Sequence, residues 1–167
     1  MHIIVTGGRW FNDTTAVHGY ISYLMGRYQE DLVIIQGGAP GADTIAKEFC
    51  ETTSIPVETY EADWEHCGPE CPPVHMKANS RGSLYCPTAG HRRNQAMLDA
   101  LPRAARDASQ PSGGVVAFID RKLEDSRGTN DMVKRANEAS VPVRVIFAKQ
   151  LRADAHPPSA GAEEVTT

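Results

Sequence analysis

Three glycine-bearing loops carry residues that could do chemistry, and each loop comes after a short run of apolar residues. Gly7-Gly8-Arg9 follows the first run, Gly37–Asp43 follows the second, and Ser126–Asp131 lies a few residues beyond the third. Glycine allows backbone N–H groups to approach a phosphate, and the helix that follows presents its positive end. Three such loops in one small domain predict a site for a nucleotide-sized anion.

These loops offer several specific groups to such a ligand. Arg9 could hold a phosphate through two hydrogen bonds, although a plain turn with a surface arginine fits the same residues. Asp43 could accept a ribose hydroxyl, or it could favour its helix dipole and pair with Lys47. A basic helix start at residues 90–94 could complete the anion site or simply be solvated. The predicted ligand-binding residues are Gly7, Gly8, Arg9, Gly37, Gly38, Gly41, Ala42, Asp43, Arg92, Arg93, Asn94, Ser126, Gly128 and Thr129.

Four potential metal ligands lie in a Pro/Gly-rich segment over residues 63–90, and they are Cys67, Cys71, His75 and Cys86. Three thiolates and one imidazole suit tetrahedral zinc in a closed structural site. A bound metal would also explain how so long an irregular loop becomes ordered. His66 and His91 are alternative fourth ligands, and free thiols are the alternative to a metal. We predict a structural zinc ion that positions the following arginines and takes no part in chemistry.

Strand and helix patterns alternate along the chain and must position these loops. Strands are predicted at 2–6, 32–36, 56–60, 114–119 and 142–147, and helices at 13–28, 41–54, 90–101 and 128–139. Continuous Val/Ile runs indicate strands buried on both faces. The sequence therefore predicts an α/β, Rossmann-like three-layer fold with a mainly parallel sheet and a zinc-stabilised loop insert. We predict one domain over residues 1–149, with the insert at 63–90, and a disordered tail over 150–167.

Composition restricts the partners of the chain. The 167 residues carry a formal net charge of −4, which argues against general attraction to nucleic acid or to an anionic membrane. No apolar stretch approaches the length of a membrane span, and the N-terminus has no signal-peptide pattern. We therefore expect a cytoplasmic protein with a small-molecule partner and no membrane partner.

Taken together, the motifs resemble a known family over residues 1–147. They are Gly7-Gly8-Arg9 with Phe11 and Asp13, Gly37–Asp43, Ala62-Asp63-Trp64, Arg93-Asn94 with Met97, and Gly128–Val133. The chain resembles the YspA-like, YpsA-related branch of the SLOG superfamily, which includes DprA and the LOG (Lonely Guy) phosphoribohydrolases. The resemblance implies a pocket for a nucleotide or nucleotide derivative at the carboxyl edge of the sheet. Relatives often assemble, so it also implies a possible homo-oligomer.

The resemblance to the LOG enzymes is incomplete in the catalytic loop. Those enzymes cleave the N-glycosidic bond of nucleoside 5′-monophosphates with a Pro-Gly-Gly-x-Gly-Thr-x-x-Glu loop. Here Glu124-Asp125-Ser126-Arg127 replaces the first part of that loop, and Met132 stands at the position of the glutamate. Asp131 and Asp120 are the candidate catalytic carboxylates, but each is one methylene shorter than glutamate.

Three functions follow from these observations. The first is binding of a nucleotide or nucleotide derivative. A phosphoribohydrolase-type enzyme is the alternative, and a nucleic-acid-binding module is a second alternative that the net charge disfavours.

Overall fold

A computed structural model describes residues 1–102, 113–120 and 122–148 of the chain. The predicted tail over 150–167 lies outside the described residues. The seven strands of the described part are β1 (His2–Gly7), β2 (Val33–Gln36), β3 (Val57–Thr59), β4 (Lys77–Ala78), β5 (Leu84–Tyr85), β6 (Gly113–Ile119) and β7 (Val143–Phe147). The α-helices there are α1 (Thr14–Tyr28), α2 (Ala42–Thr53), α3 (Ala89–Asp99) and α4 (Arg127–Glu138).

Within the described residues, five strands form one parallel sheet in the order β3-β2-β1-β6-β7. The chain moves outward from β1 to β3 and then returns to place β6 on the other side of β1. The order therefore reverses between β1 and β6, and ligands of open α/β sheets bind outside the carboxyl ends of the strands at such a point. The predicted α/β class with a parallel sheet is confirmed.

Alternate residues of each central strand enter opposite cores. Ile3 and Val5 pack in the core that contains residues of α1 and α2, whereas Ile4 packs in the core that contains residues of α3 and α4. Both faces of the sheet are covered, which is why these strands are continuous apolar runs instead of alternating ones. None of the helices in the described ranges is long and apolar enough to cross a membrane.

The insert contains regular structure that the sequence reading did not predict. Its strands β4 and β5 pair antiparallel, with Lys77 opposite Tyr85 and Ala78 opposite Leu84. The Asn79 side chain accepts backbone N–H bonds from Arg81 and Ser83 and closes the turn between them. Two-residue strands have no room for an alternating pattern, so period alone could not reveal this ribbon.

Gly41 allows the loop after β2 to lie directly against the loop after β1. Its φ is +92°, and an added Cβ would lie 2.2 Å from the carbonyl oxygen of Gly8. Because the obstacle is backbone, a side chain at this position cannot be accommodated by a rotamer change. Gly19, which is exposed in α1, has no heavy atom within 4 Å of such a Cβ.

Gly41→Ala should lower the free energy of unfolding by about 2 kcal/mol or more, since strain at positive φ adds to the backbone clash. Gly19→Ala, the matched control, should raise it by about 1 kcal/mol because alanine is the better helix former. Urea unfolding of both variants and of the parent chain gives these differences. Equal effects of the two substitutions would contradict the close approach of the two loops.

Candidate functional site

A cleft of about 870 Å³ opens at the carboxyl edge of the sheet, beside the point where the strand order reverses. Loops that follow β1, β2 and β6 form three of its walls, and the insert with the start of α3 forms a fourth. Of the predicted site residues, those that line the cleft are Gly7, Gly8, Arg9, Gly37, Gly38, Asp43, Arg93, Asn94, Asp120, Ser126, Gly128 and Thr129.

Four of the predicted ligand-binding and catalytic residues do not line the cleft. Gly41 lies against the backbone of Gly8. Ala42 packs against Gly7, and an added Cβ on Gly7 would lie 2.5 Å from the Cβ of Ala42. Arg92 contacts the cysteine cluster of the insert. Asp131 belongs to α4, accepts a hydrogen bond from Asn94 of α3 and does not line the cleft.

Asp43 shapes the loop after β2 from the inside. It is buried, and its Oδ2 accepts backbone N–H bonds from Gly37 at 3.0 Å and Ala39 at 3.4 Å. Lys47, the ion-pair partner considered from the sequence, lies 3.9 Å from Glu51. The Asp43 carboxylate therefore holds the loop amides in place.

The Arg93 guanidinium contacts the loop after β2. It donates through Nη1 to the Gly37 carbonyl and through Nε to Asn94 Oδ1 at 3.1 Å. A Cβ on Gly37 would lie 1.7 Å from Arg93 Nη1, so the glycine leaves the space that the guanidinium occupies. Burial lowers the pKa of Arg93; Asp43 and Asp131 oppose that shift, and Arg9 adds to it. The guanidinium is thus influenced by two carboxylates as well as by a second arginine at the cleft.

Burial raises the pKa of Asp43 from 3.8 to about 6, against the pull of Arg93 and the two loop amides. The folded chain therefore binds a proton on Asp43 more tightly than the unfolded chain does. This raised pKa stabilises the fold fully below about pH 4, and the stabilisation is lost as the pH rises through 6. We expect the parent's free energy of unfolding to fall by up to about 3 kcal/mol relative to Asp43→Asn between pH 4 and 7.

Urea unfolding of both proteins at each pH measures that difference. If a metal ion is lost in acid, both proteins lose it, and its effect cancels in the difference between their free energies of unfolding. A difference that stays constant across the window would contradict the raised pKa.

The Asp131 side chain on α4 links that helix to α3 through hydrogen bonds. Its carboxylate oxygens lie 2.6 Å from His91 Nδ1, 2.8 Å from Asn94 Nδ2 and 2.9 Å from Arg135 Nε. Burial opposes ionisation, but the hydrogen bonds from Arg135, Asn94 and His91 outweigh it and lower its pKa. Asn94 also donates to the Gly128 carbonyl at 3.1 Å. Asp131 thus positions the glycine loop at the start of α4.

Sequence reasoning missed an aromatic and basic lining. Trp10, Trp64, Tyr85 and Lys77 all line the cleft, and Trp10 is 78% exposed. Trp64 and Tyr85 meet edge to face with ring centroids 6.4 Å apart. Tryptophan and tyrosine are enriched at binding surfaces, and the tryptophan that follows Gly7-Gly8-Arg9 was the available signal.

The predicted metal ligands come together. Cys67 Sγ lies 3.6 Å and Cys86 Sγ 3.2 Å from His75 Nε2, and Cys71 Sγ lies 3.8 Å from Cys86 Sγ. All four ligand atoms lie within 4.8 Å of one another. Tetrahedral zinc, with bonds of about 2.0–2.3 Å, places its ligand atoms roughly 3.3–3.8 Å apart. The cluster could therefore hold a metal ion.

The alternative histidine ligands are engaged elsewhere. His66 Nδ1 lies 2.9 Å from Asp63, and His91 pairs with Asp131. The thiols of the cluster have polar neighbours. Thr88 Oγ1 lies 3.2 Å from the Sγ atoms of both Cys71 and Cys86. Burial opposes the Cys86 thiolate, but hydrogen bonds from Thr88 and Arg92 outweigh it and lower the pKa of Cys86 to about 6.

The fold and site together define an α/β protein with a cleft at the switch point of its sheet and a metal-ligand cluster beside it. Residues 1–66 match the model of the YspA, cpYpsA-related SLOG family (YAcAr), which confirms the resemblance seen in the motifs. The chain is also similar to the Gene 61 protein of Mycobacterium phage D29, with 29% identity over 146 residues. That similarity covers 84% of this chain and 92% of the phage protein. No solved structure matches the chain significantly.

Proposed function

We propose that the chain binds a nucleotide or nucleotide derivative in the cleft, and that a structural zinc ion orders the loop forming one wall of it. The observation that carries this proposal is the convergence of three separate glycine loops on one cleft that also holds Arg9 and Arg93. The similarity of residues 1–66 to a SLOG family supports it, since that resemblance implies a nucleotide-related ligand.

The cleft offers different groups for the two ends of a nucleotide. Arg9, Arg93 and Arg127 supply positive charge, and the hydroxyls of Ser126 and Thr129 lie at the start of α4, where free N–H groups favour an anion. The rings of Trp10, Trp64 and Tyr85 offer faces on which a base can stack. Phosphates would thus bind near the glycine loops and the base near the insert.

Zinc fits the donor set of the insert. Three thiolates and one imidazole are soft or borderline ligands, and four protein ligands leave no open position for catalysis. The metal would hold together a loop that has little apolar core of its own. A metal-bound thiol cluster fits a reducing compartment, which supports the proposed cytoplasmic location. A homo-oligomer stays a prediction.

Hydrolysis is the second candidate function, and one observation favours it: Asp120, at the end of β6, lines the cleft. A carboxylate there could stabilise an oxocarbenium-like state or activate water. Asp131, whose oxygens are bonded within the protein, is held in a positioning role. Because it lines the cleft, Asp120 is the carboxylate to test.

The deciding experiment incubates zinc-loaded protein with a panel of nucleotides and records retained ligand and released base together by mass spectrometry. An intact retained nucleotide, accompanied by quenching of tryptophan fluorescence, supports binding. Free base from one monophosphate that disappears in Asp120→Asn makes the chain a hydrolase. Neither signal, together with salt-dependent binding of single-stranded DNA or RNA, would favour a nucleic-acid module instead.

A further inference from the structure

Arg92 and Arg93 are adjacent in α3 but serve two different places. Arg93 reaches the Gly37 carbonyl at the cleft. Arg92 Nη1 lies 3.1 Å from Cys86 Sγ and 3.4 Å from Cys71 Sγ. Successive side chains of a helix project about 100° apart, so one turn of α3 can face both the cleft and the insert.

The second nitrogen of Arg92 reaches another part of the insert. Nη2 donates to the carbonyl oxygens of His66 at 2.7 Å and Asp63 at 3.2 Å. These carbonyls belong to the segment that leads into the first cysteine, whereas Cys71 and Cys86 lie further along. The planar guanidinium thus ties the beginning of the insert, its thiols and α3 to one another.

The positive charge of Arg92 lies against thiols that would be negatively charged with a metal ion bound. A divalent ion bound by three thiolates and a neutral imidazole carries a net charge of −1, and the Arg92 guanidinium places a positive charge against two of those thiols. Its Nε also lies 3.8 Å from the exposed Glu70 carboxylate, which shares that positive charge. Lysine could supply the charge, but its three N–H donors all belong to one nitrogen, whereas Arg92 uses Nη1 for the thiols and Nη2 for the carbonyls. Groups that hydrogen-bond to metal ligands fix their orientation and commonly change metal affinity 10–100-fold when removed.

We propose that Arg92 is a positioning residue of the metal centre, balancing the thiolate charge and fixing the insert against α3. This inference rests on the proposed metal site and assigns Arg92 to the metal centre instead of the ligand cleft. Because Trp64, Lys77 and Tyr85 of the insert line the cleft, the same contact sets the position of that wall.

The test loads the full chain with Zn²⁺ or Co²⁺ and compares the parent with Arg92→Gln, Arg92→Lys and Arg81→Gln. Arg81 is exposed in the turn of the same insert, so its substitution removes one charge without touching the thiols. Metal content, the rate of zinc transfer to a chromophoric chelator and the thiolate-to-Co²⁺ absorption bands are measured.

We expect Arg92→Gln to release zinc roughly tenfold faster than the parent and to shift the Co²⁺ bands, with Arg92→Lys intermediate. Arg81→Gln should match the parent. If Arg92→Gln also matches the parent, the role of Arg92 is refuted while the metal site stands. If the parent itself binds neither ion, the proposed metal site fails. Should Arg92→Gln not fold, Arg92→Lys decides: release at the parent's rate with unshifted bands refutes the role.

Discussion

Cys71→Ala is expected to abolish stable metal binding, reducing retained zinc from roughly one ion per chain to nearly none after dialysis. Its Sγ lies 3.8 Å from that of Cys86, and without it only three ligands remain at the centre of the cluster. Elemental analysis measures the metal, and limited proteolysis measures the order of the insert. We expect cleavage within residues 63–90 in the variant at protease levels that leave the parent intact.

Cys50→Ala is the matched control. Cys50 is a free, buried thiol on α2, outside the cluster. Its replacement should keep the zinc and cost about 1 kcal/mol of stability through lost packing. Because the insert lines the cleft, Cys71→Ala should also weaken binding of any nucleotide that the panel identifies. A Cys71→Ala protein that retains both its zinc and its nucleotide affinity would show that Cys71 is not a ligand of the ion and that the four-ligand assignment is wrong.

The features predicted correctly from the sequence depend on local signals. Short β-branched runs identify strands buried on both faces, and a glycine directly after such a run marks the loop that follows. The four side chains of the possible metal cluster could likewise be grouped from the sequence, because three thiols and an imidazole in one loop without an apolar core are a donor set that suits a metal ion. Their order along the chain sufficed, although their spacing is not that of a familiar zinc motif.

The assignment of roles within the site could not be made in the same way. Whether Arg92 or Arg93 faces the cleft depends on the rotation of α3 about its axis, which the buried Met97 and Leu98 fix by packing on the sheet. An error of one residue in the register of α3 against the sheet rotates every side chain by about 100° and would place Arg92 where Arg93 lies. The contacts of Asp131 could not be predicted for a similar reason, since its partners His91 and Asn94 are 40 and 37 residues away in the chain.

Arg93→Ala should weaken nucleotide binding by about a hundredfold, equivalent to about 3 kcal/mol. Arg93 is partly buried and lines the cleft together with Arg9, so both guanidinium groups are available to one anionic ligand. Titration calorimetry with the retained nucleotide measures the loss. Arg81→Ala, which removes an equal charge from an exposed turn, should bind like the parent.

A second variant separates ligand contact from internal charge balance. Arg93 also faces the buried Asp43, so its removal alone leaves that carboxylate without its guanidinium. Arg93→Ala combined with Asp43→Asn removes both charges and relieves this penalty. If Arg93 holds the phosphate, the double variant stays as weak as Arg93→Ala. Recovery of the parent's affinity would mean that Arg93 only neutralises Asp43, and the phosphate would then have to bind Arg9 and the start of α4.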